Sequence, residues 1–194
     1  PEGFGLDVKY LFDKKEEKKM KLFKKLAAVM LVAALALTMV GCGAGGTGSA
    51  FDLKNEVLNA IEDSYNMSNK TATHTTAVDT AAAALIEKAA ADETAKDDDV
   101  TVKELLEKQT IEGDYIAIFM PYGQLRTEAM QYIYIEQMSG ALRAATNGWS
   151  SYEEMIVKIG TPEIGKEDPI EIGAATGTIK GRNYLVLLVQ NAKA

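Results

Sequence analysis

Cysteine occurs once in the 194 residues, as do histidine and tryptophan, and proline occurs four times. A single cysteine permits no intramolecular disulfide. A single histidine removes the His/Cys clusters that hold zinc, and any nucleophile–histidine site would depend on His74 alone. Neither a G-x-S-x-G elbow nor a Ser-x-x-Lys pair is present. A membrane-crossing helix needs about 20 apolar residues, and the longest apolar run, Leu26 to Val40, has 15.

Positive charge is also scarce. The chain has 21 Lys and Arg against 28 Asp and Glu, a net charge of −7. Residues 1–41 carry eight of the lysines and five of the acids, which leaves 13 basic and 23 acidic residues, net −10, from Cys42 onward. That balance argues against nucleic acid, whose binding rests on Lys and Arg neutralising phosphates. It argues equally against Coulombic docking on anionic lipid. No cofactor or metal is implied. Gly43, Gly45 and Gly48 spell a literal G-x-G-x-x-G, but without the strand before and the helix after that a dinucleotide site requires. Asp97, Asp98 and Asp99 are consecutive, whereas a calcium loop needs acids on alternate positions and a mid-loop glycine. Asn66 and Asn69 open glycosylation sequons.

What the chain does have is a distinctive stretch from Met20 to Cys42. Lys21, Lys24 and Lys25 precede the apolar run, and Gly41-Cys42 closes it. A positive start, a short apolar stretch and a small residue before the cut make a secretory signal. Thr38-Met39-Val40-Gly41-Cys42 resembles the lipobox of bacterial lipoproteins. Gly41 and Cys42 match its two strictest positions, and Met39 stands where that family usually has leucine. The resemblance implies cleavage after Gly41, a diacylglyceryl group on the Cys42 sulfur, and tethering to the outer face of the cell membrane. Two acyl chains on one residue hold a protein stably to a bilayer, whereas one binds only marginally. Upstream, Lys15-Glu-Glu-Lys-Lys19 is what an in-frame reading of a purine-rich ribosome-binding site gives. Residues 1–19 are therefore expected to be untranslated or a disordered extension. The plan that follows is a signal at 20–41, a flexible glycine-rich tether at 42–50, and one domain at 51–194.

Within that domain, Ser49 and Asp52 form a capping pattern. Leu53, Val57, Leu58, Ile61 and Tyr65 then mark one face of a helix to about Met67. Ser68 to Thr76 reads as a loop with a solvated His74. Thr76 to Asp79 reads as the cap of an alanine-rich helix to about Ala91, expected to be peripheral or mobile because alanine buries little area. Asp92 to Asp99 reads as an acidic linker, so 68–100 is expected to be a mobile Thr/Ala/Asp-rich segment. Thr101 and Glu104 cap a short helix, and Tyr115 to Met120 reads as a strand. A long helix is expected from Gln124 to Ala145, with Met130, Tyr134, Met138, Ala141, Leu142 and Ala145 inward, stopped at Asn147-Gly148. Ser150 and Ser151 precede a short helix carrying Tyr152, Met155, Ile156 and Ile159. Ile170 to Ile179 and Tyr184 to Val189 form a hairpin joined by Lys180-Gly-Arg-Asn183, with glycine where positive φ is needed, and the unbroken YLVLLV predicts a central strand covered on both faces.

The fold class is therefore α+β: a small antiparallel sheet of three to four strands with a terminal hairpin, packed against helices and preceded by a signal peptide. From about Thr101 onward, with Asp114 to Phe119 and Gly181 to Val189 as the clearest parts, this order resembles a group of clostridial lipoproteins with a small C-terminal domain of unassigned function. The sequence favours no enzyme. A ligand- or partner-binding module of the envelope is the leading expectation, with a membrane lipid as partner through Cys42. The alternatives are an accessory structural subunit and, behind it, an envelope hydrolase. Tyr115, Tyr122, Tyr132, Tyr134 and Tyr152 are candidates to line a groove, because tyrosine joins apolar area to a polar tip. Ordinary core and boundary packing is the competing role for each.

Overall fold

The computed structural model describes residues 53–68, 70–123 and 128–192, all within one compact unit, Gly46–Ala194. The signal, Gly41, Cys42, the tether, the Ser49–Asp52 cap and the start of the long helix at Gln124 lie outside the described residues. Four helices and five strands follow in the order α1 (Leu53–Met67), β1 (Ala72–His74), α2 (Thr76–Ala91), α3 (Val102–Glu107), β2 (Tyr115–Pro121), α4 (Glu128–Asn147), β3 (Ile156–Ile159), β4 (Ile170–Ile179) and β5 (Arg182–Asn191). They form a single sheet in the order β1-β4-β5-β2-β3. All neighbours are antiparallel except β1 and β4, which pair in parallel from Ala72–Ile170 to His74–Ile172.

The sheet is mixed and five-stranded, not antiparallel with three to four. Its two additional strands are the short edges. β1 falls where Ser68 to Thr76 reads as a loop, because three residues are too few to show a period and their partner lies almost 100 positions away. β3 falls where the sequence predicts a helix. Its apolar residues fit helical spacing, but Ile156, Val157 and Ile159 are β-branched and lie beside the open edge of β2. Only a 3₁₀ turn, Glu153–Met155, remains of the expected helix.

β5 occupies the centre, as the YLVLLV run predicts. Leu185, Leu187 and Val189 join Ile116, Ile118, Met120, Ile170, Ile172 and Ala174 on one face, under α1 and α4. Tyr184, Val186 and Leu188 join Ala117, Phe119, Val157 and Ala175 on the other, under α2 and α3. The strict alternation along β5 is what a strand buried on both sides must show. The five expected α1 positions are all buried. In α4, Met138, Ala141 and Leu142 are buried, and Tyr134 and Ala145 pack partly against them.

Rather than lying at the periphery, α2 is the most deeply seated helix on its face: Val78, Ala82, Leu85 and Ala89 are fully buried. Alanine buries little area itself, but the helix backbone at Val78–Asp79 lies directly on Gly173 of β4, and the Ile86 side chain lies on Gly177. The N-cap is Thr75, whose hydroxyl accepts the Val78 N–H, and not Thr76. Asp79 is thereby released from the expected capping role. The acidic linker contains a 3₁₀ turn, Glu93–Lys96, capped by Asp92. The Thr101–Glu104 capping box forms as expected. Past α4, Gly148 has φ +68° and the Trp149 N–H returns to the Ala144 carbonyl at 2.9 Å, the glycine stop its sequence announces.

The β4–β5 turn has positive φ at both central residues, Lys180 (51°) and Gly181 (73°), the signature of a type I′ hairpin. The Lys180 ammonium donates to the Asp97 and Val100 carbonyls, each at 2.5 Å, and so pins the acidic segment to the hairpin. Gly181→Ala is expected to cost about 1 kcal/mol through left-handed backbone strain alone, since nothing lies within 4 Å of the added methyl. Denaturant midpoints at constant slope check this. A neutral or stabilising result contradicts it.

Candidate functional site

β2 ends at Met120, on the face shared with α4, and the exposed Pro121. α4 crosses that face anchored by Met138, Ala141 and Leu142. Ile133, Tyr134 and Gln137 lie within one turn of each other, so α4 offers them together on one side. Met155, in the 3₁₀ turn before β3, closes the third wall. These six residues line an open cleft of about 330 Å³, near the lower end of small-molecule sites, about 300–1,000 Å³. The Gly123 N–H faces the Tyr134 hydroxyl at 3.5 Å across the rim.

The lining chemistry is narrow. Among the described residues it has two thioethers, a proline ring, an isoleucine, one phenol and one amide, with no carboxylate, ammonium or guanidinium. A charged ligand entering such a cleft would shed its hydration without a compensating partner. A neutral, mostly apolar molecule would lose little, the Gln137 amide offers it one donor and one acceptor group, and methionine adapts to irregular shapes.

The structure does not bring the five tyrosines together on one surface. Tyr134 lines the cleft. Tyr122 packs partly on the same core, and its N–H extends the β2–β5 ladder to Asn183 at 3.0 Å. Tyr132 is 63 % exposed on α4. Tyr152 takes a left-handed conformation, φ 66°, and its hydroxyl lies so close to Gly140 that a Cβ there would sit 2.8 Å away. Tyr115 belongs to the opposite core, where burial, with Glu112 and Glu171 nearby, pushes its phenol up. Met120, Pro121, Ile133, Gln137 and Met155 carried no site signal in the sequence. Each reads as strand, turn or helix packing, and only their juxtaposition makes a cleft.

No family model, curated protein or solved structure matches this chain. Among the described residues, no helix is long and apolar enough to cross a membrane, and no group of three or more His, Cys, Asp and Glu side chains is placed to hold a metal ion.

A second constellation sits at the β1 edge. The Asp79 carboxylate accepts the Ala174 N–H at 2.7 Å on Oδ1; on Oδ2 it accepts Lys54 Nζ at 2.7 Å and meets His74 Nε2 at 3.0 Å. The His74 N–H donates to Glu62 Oε1 at 2.6 Å. The exposed His74 imidazole thus meets one acid, Asp79, while Glu62 holds only its backbone N–H. Burial pushes the Asp79 carboxyl up, but the Lys54, Ala174 and His74 hydrogen bonds outweigh it and hold the group below the usual carboxylate range. Every bond in this set ties one element to another: α1, β1, α2 and β4 all meet at Asp79. Its chemistry is that of a structural clasp.

Proposed function

We propose that this protein is an extracytoplasmic lipoprotein, cut after Gly41 and anchored to the outer face of the cell membrane through Cys42, whose folded head binds a small neutral ligand. The lipobox-like pentapeptide supports the anchor. The observation that carries the binding role is that the described residues lining the cleft between β2, α4 and Met155 carry no charged side chain. A binding role is preferred to catalysis because the sole histidine lies on β1, three strand positions from β2 and away from the cleft, with its imidazole on Asp79. The exposure of Tyr132 (63 %) and Ile133 (54 %) beside the cleft favours one second reading, an accessory subunit that covers this surface with a protein partner.

The test uses a neutral naphthylamine fluorophore and its anionic sulfonate counterpart. The neutral probe is expected to saturate near one molecule per chain, and Ile133→Asp, a change at an exposed position, is expected to weaken it about tenfold by placing a charge in the cleft. Equal binding by Ile133→Asp, or equal binding of the anionic probe, rejects the ligand reading and leaves the accessory-subunit reading. Incorporation of labelled fatty acid into the wild type but not Cys42→Ser checks the anchor separately.

A further inference from the structure

Two exposed apolar side chains share one end of the α1/α4 layer. Met67, the last residue of α1, is 81 % exposed, and Trp149, just past the glycine stop of α4, is 59 % exposed. The two helix ends are held side by side, because the Tyr65 hydroxyl hydrogen-bonds the Thr146 side chain with Arg143 close by. The Lys70 ammonium lies 5.7 Å from the Tyr65 ring centre and 3.9 Å from the Glu167 carboxylate. Tryptophan prefers the water–headgroup boundary of a bilayer, where its ring is apolar and its N–H stays wet.

We infer that this end of the head, Met67 with Trp149, rests in the headgroup layer of the membrane that holds the Cys42 anchor; the inference rests on the anchor reading above. Chain length permits it. The 11 steps from Cys42 to Leu53 span up to about 35 Å when extended. The 15 residues of α1 separate that attachment point from Met67 by only about 22 Å. A short tether also keeps the head at an effective concentration on the order of millimolar beside the bilayer, so two insertable side chains suffice where a free protein would need more. The net charge of −10 from Cys42 onward opposes attraction to anionic lipid. Insertion of apolar side chains therefore drives the contact, and zwitterionic lipid is the partner.

Trp149 is the only tryptophan in the chain, so its emission reports this contact alone. The acylated full chain, reconstituted in phosphatidylcholine vesicles with brominated acyl chains, is expected to float with the vesicles and to show blue-shifted, several-fold quenched emission. Raising the salt should leave the quenching unchanged. Met67→Asp should float equally, keep the wild-type thermal melt and lose most of the quenching. Flotation with unquenched, water-like Trp149 emission overturns the inference and leaves the anchor standing. Quenching that survives Met67→Asp, or that salt abolishes, also overturns it. Failure to float removes the anchor and the inference together.

Discussion

Gly173→Ala is expected to destabilise the head by about 3 kcal/mol, a fall of roughly 10 °C in melting temperature. Gly173 sits in β4 beneath the first turn of α2. A Cβ built there would lie 2.3 Å from the Asp79 nitrogen, 2.5 Å from the Val78 carbonyl carbon and 2.8 Å from the Val78 Cβ. Two of these atoms are backbone, so no rotamer change relieves the overlap. The helix must lift. Lifting stretches the 2.7 Å bond from Ala174 N–H to Asp79 and unseats Val78, which is fully buried. The methyl also removes backbone freedom from the unfolded chain, which returns only about 0.4–1 kcal/mol. Gly177→Ala is the internal control. Its methyl would meet Ile86 Cγ2 at 2.5 Å, a side-chain atom that can turn aside, and the cost should be less than half as large. Paired thermal and denaturant melts measure both, and equal effects at the two glycines contradict the account.

Asp79→Asn is the second large effect, about 2–3 kcal/mol near neutral pH. The substitution keeps the shape but replaces a carboxylate with an amide opposite Lys54, whose side chain is only 17 % exposed. It also weakens the link to His74 and the acceptor for the Ala174 N–H. These bonds join α1 to α2 around the β1 edge, so their loss loosens the two layers together. The pH dependence has a definite sign. The folded carboxyl is held below its usual range, so the unfolded chain takes up the proton first as pH falls. Its contribution is therefore complete above the unfolded value, about 3.9, and is lost as pH falls through the lower folded value. The stability gap between wild type and Asp79→Asn should be widest near neutrality and should narrow below about pH 4. Denaturant melts from neutral to acidic pH test this, and a gap independent of pH would assign the effect to packing alone.

Much of the fold could be read from local patterns. The α1 stripe, the Thr101 capping box, the Gly148 stop, the glycine-bearing hairpin turn after Ile179 and the doubly buried β5 each rest on contacts close along the chain or on a period repeated over several turns. Such signals grow with element length. The misread parts are short or non-local. β1 has three residues and β3 four, too few to distinguish strand from loop or helix, and each exists because a neighbouring strand offers an open edge. The alanines of α2 carry no sign of depth by themselves, because depth comes from two glycines almost 100 residues later.

The candidate site divides in the same way. Tyr134 was nameable in advance as an aromatic on an amphipathic helix. Tyr115 looked equivalent but faces the other core, since adjacent residues of β2 point to opposite sides of the sheet. The sequence by itself determined the long elements, the central strand, the turns and the acidic balance, because short-range sterics, hydrophobic periodicity and composition encode those. Only the tertiary structure decided which edges became strands, how deep α2 lies, that Asp79 clasps two layers, and that three separate segments enclose a cleft. Those outcomes depend on distances between residues far apart in the chain, which no local pattern contains.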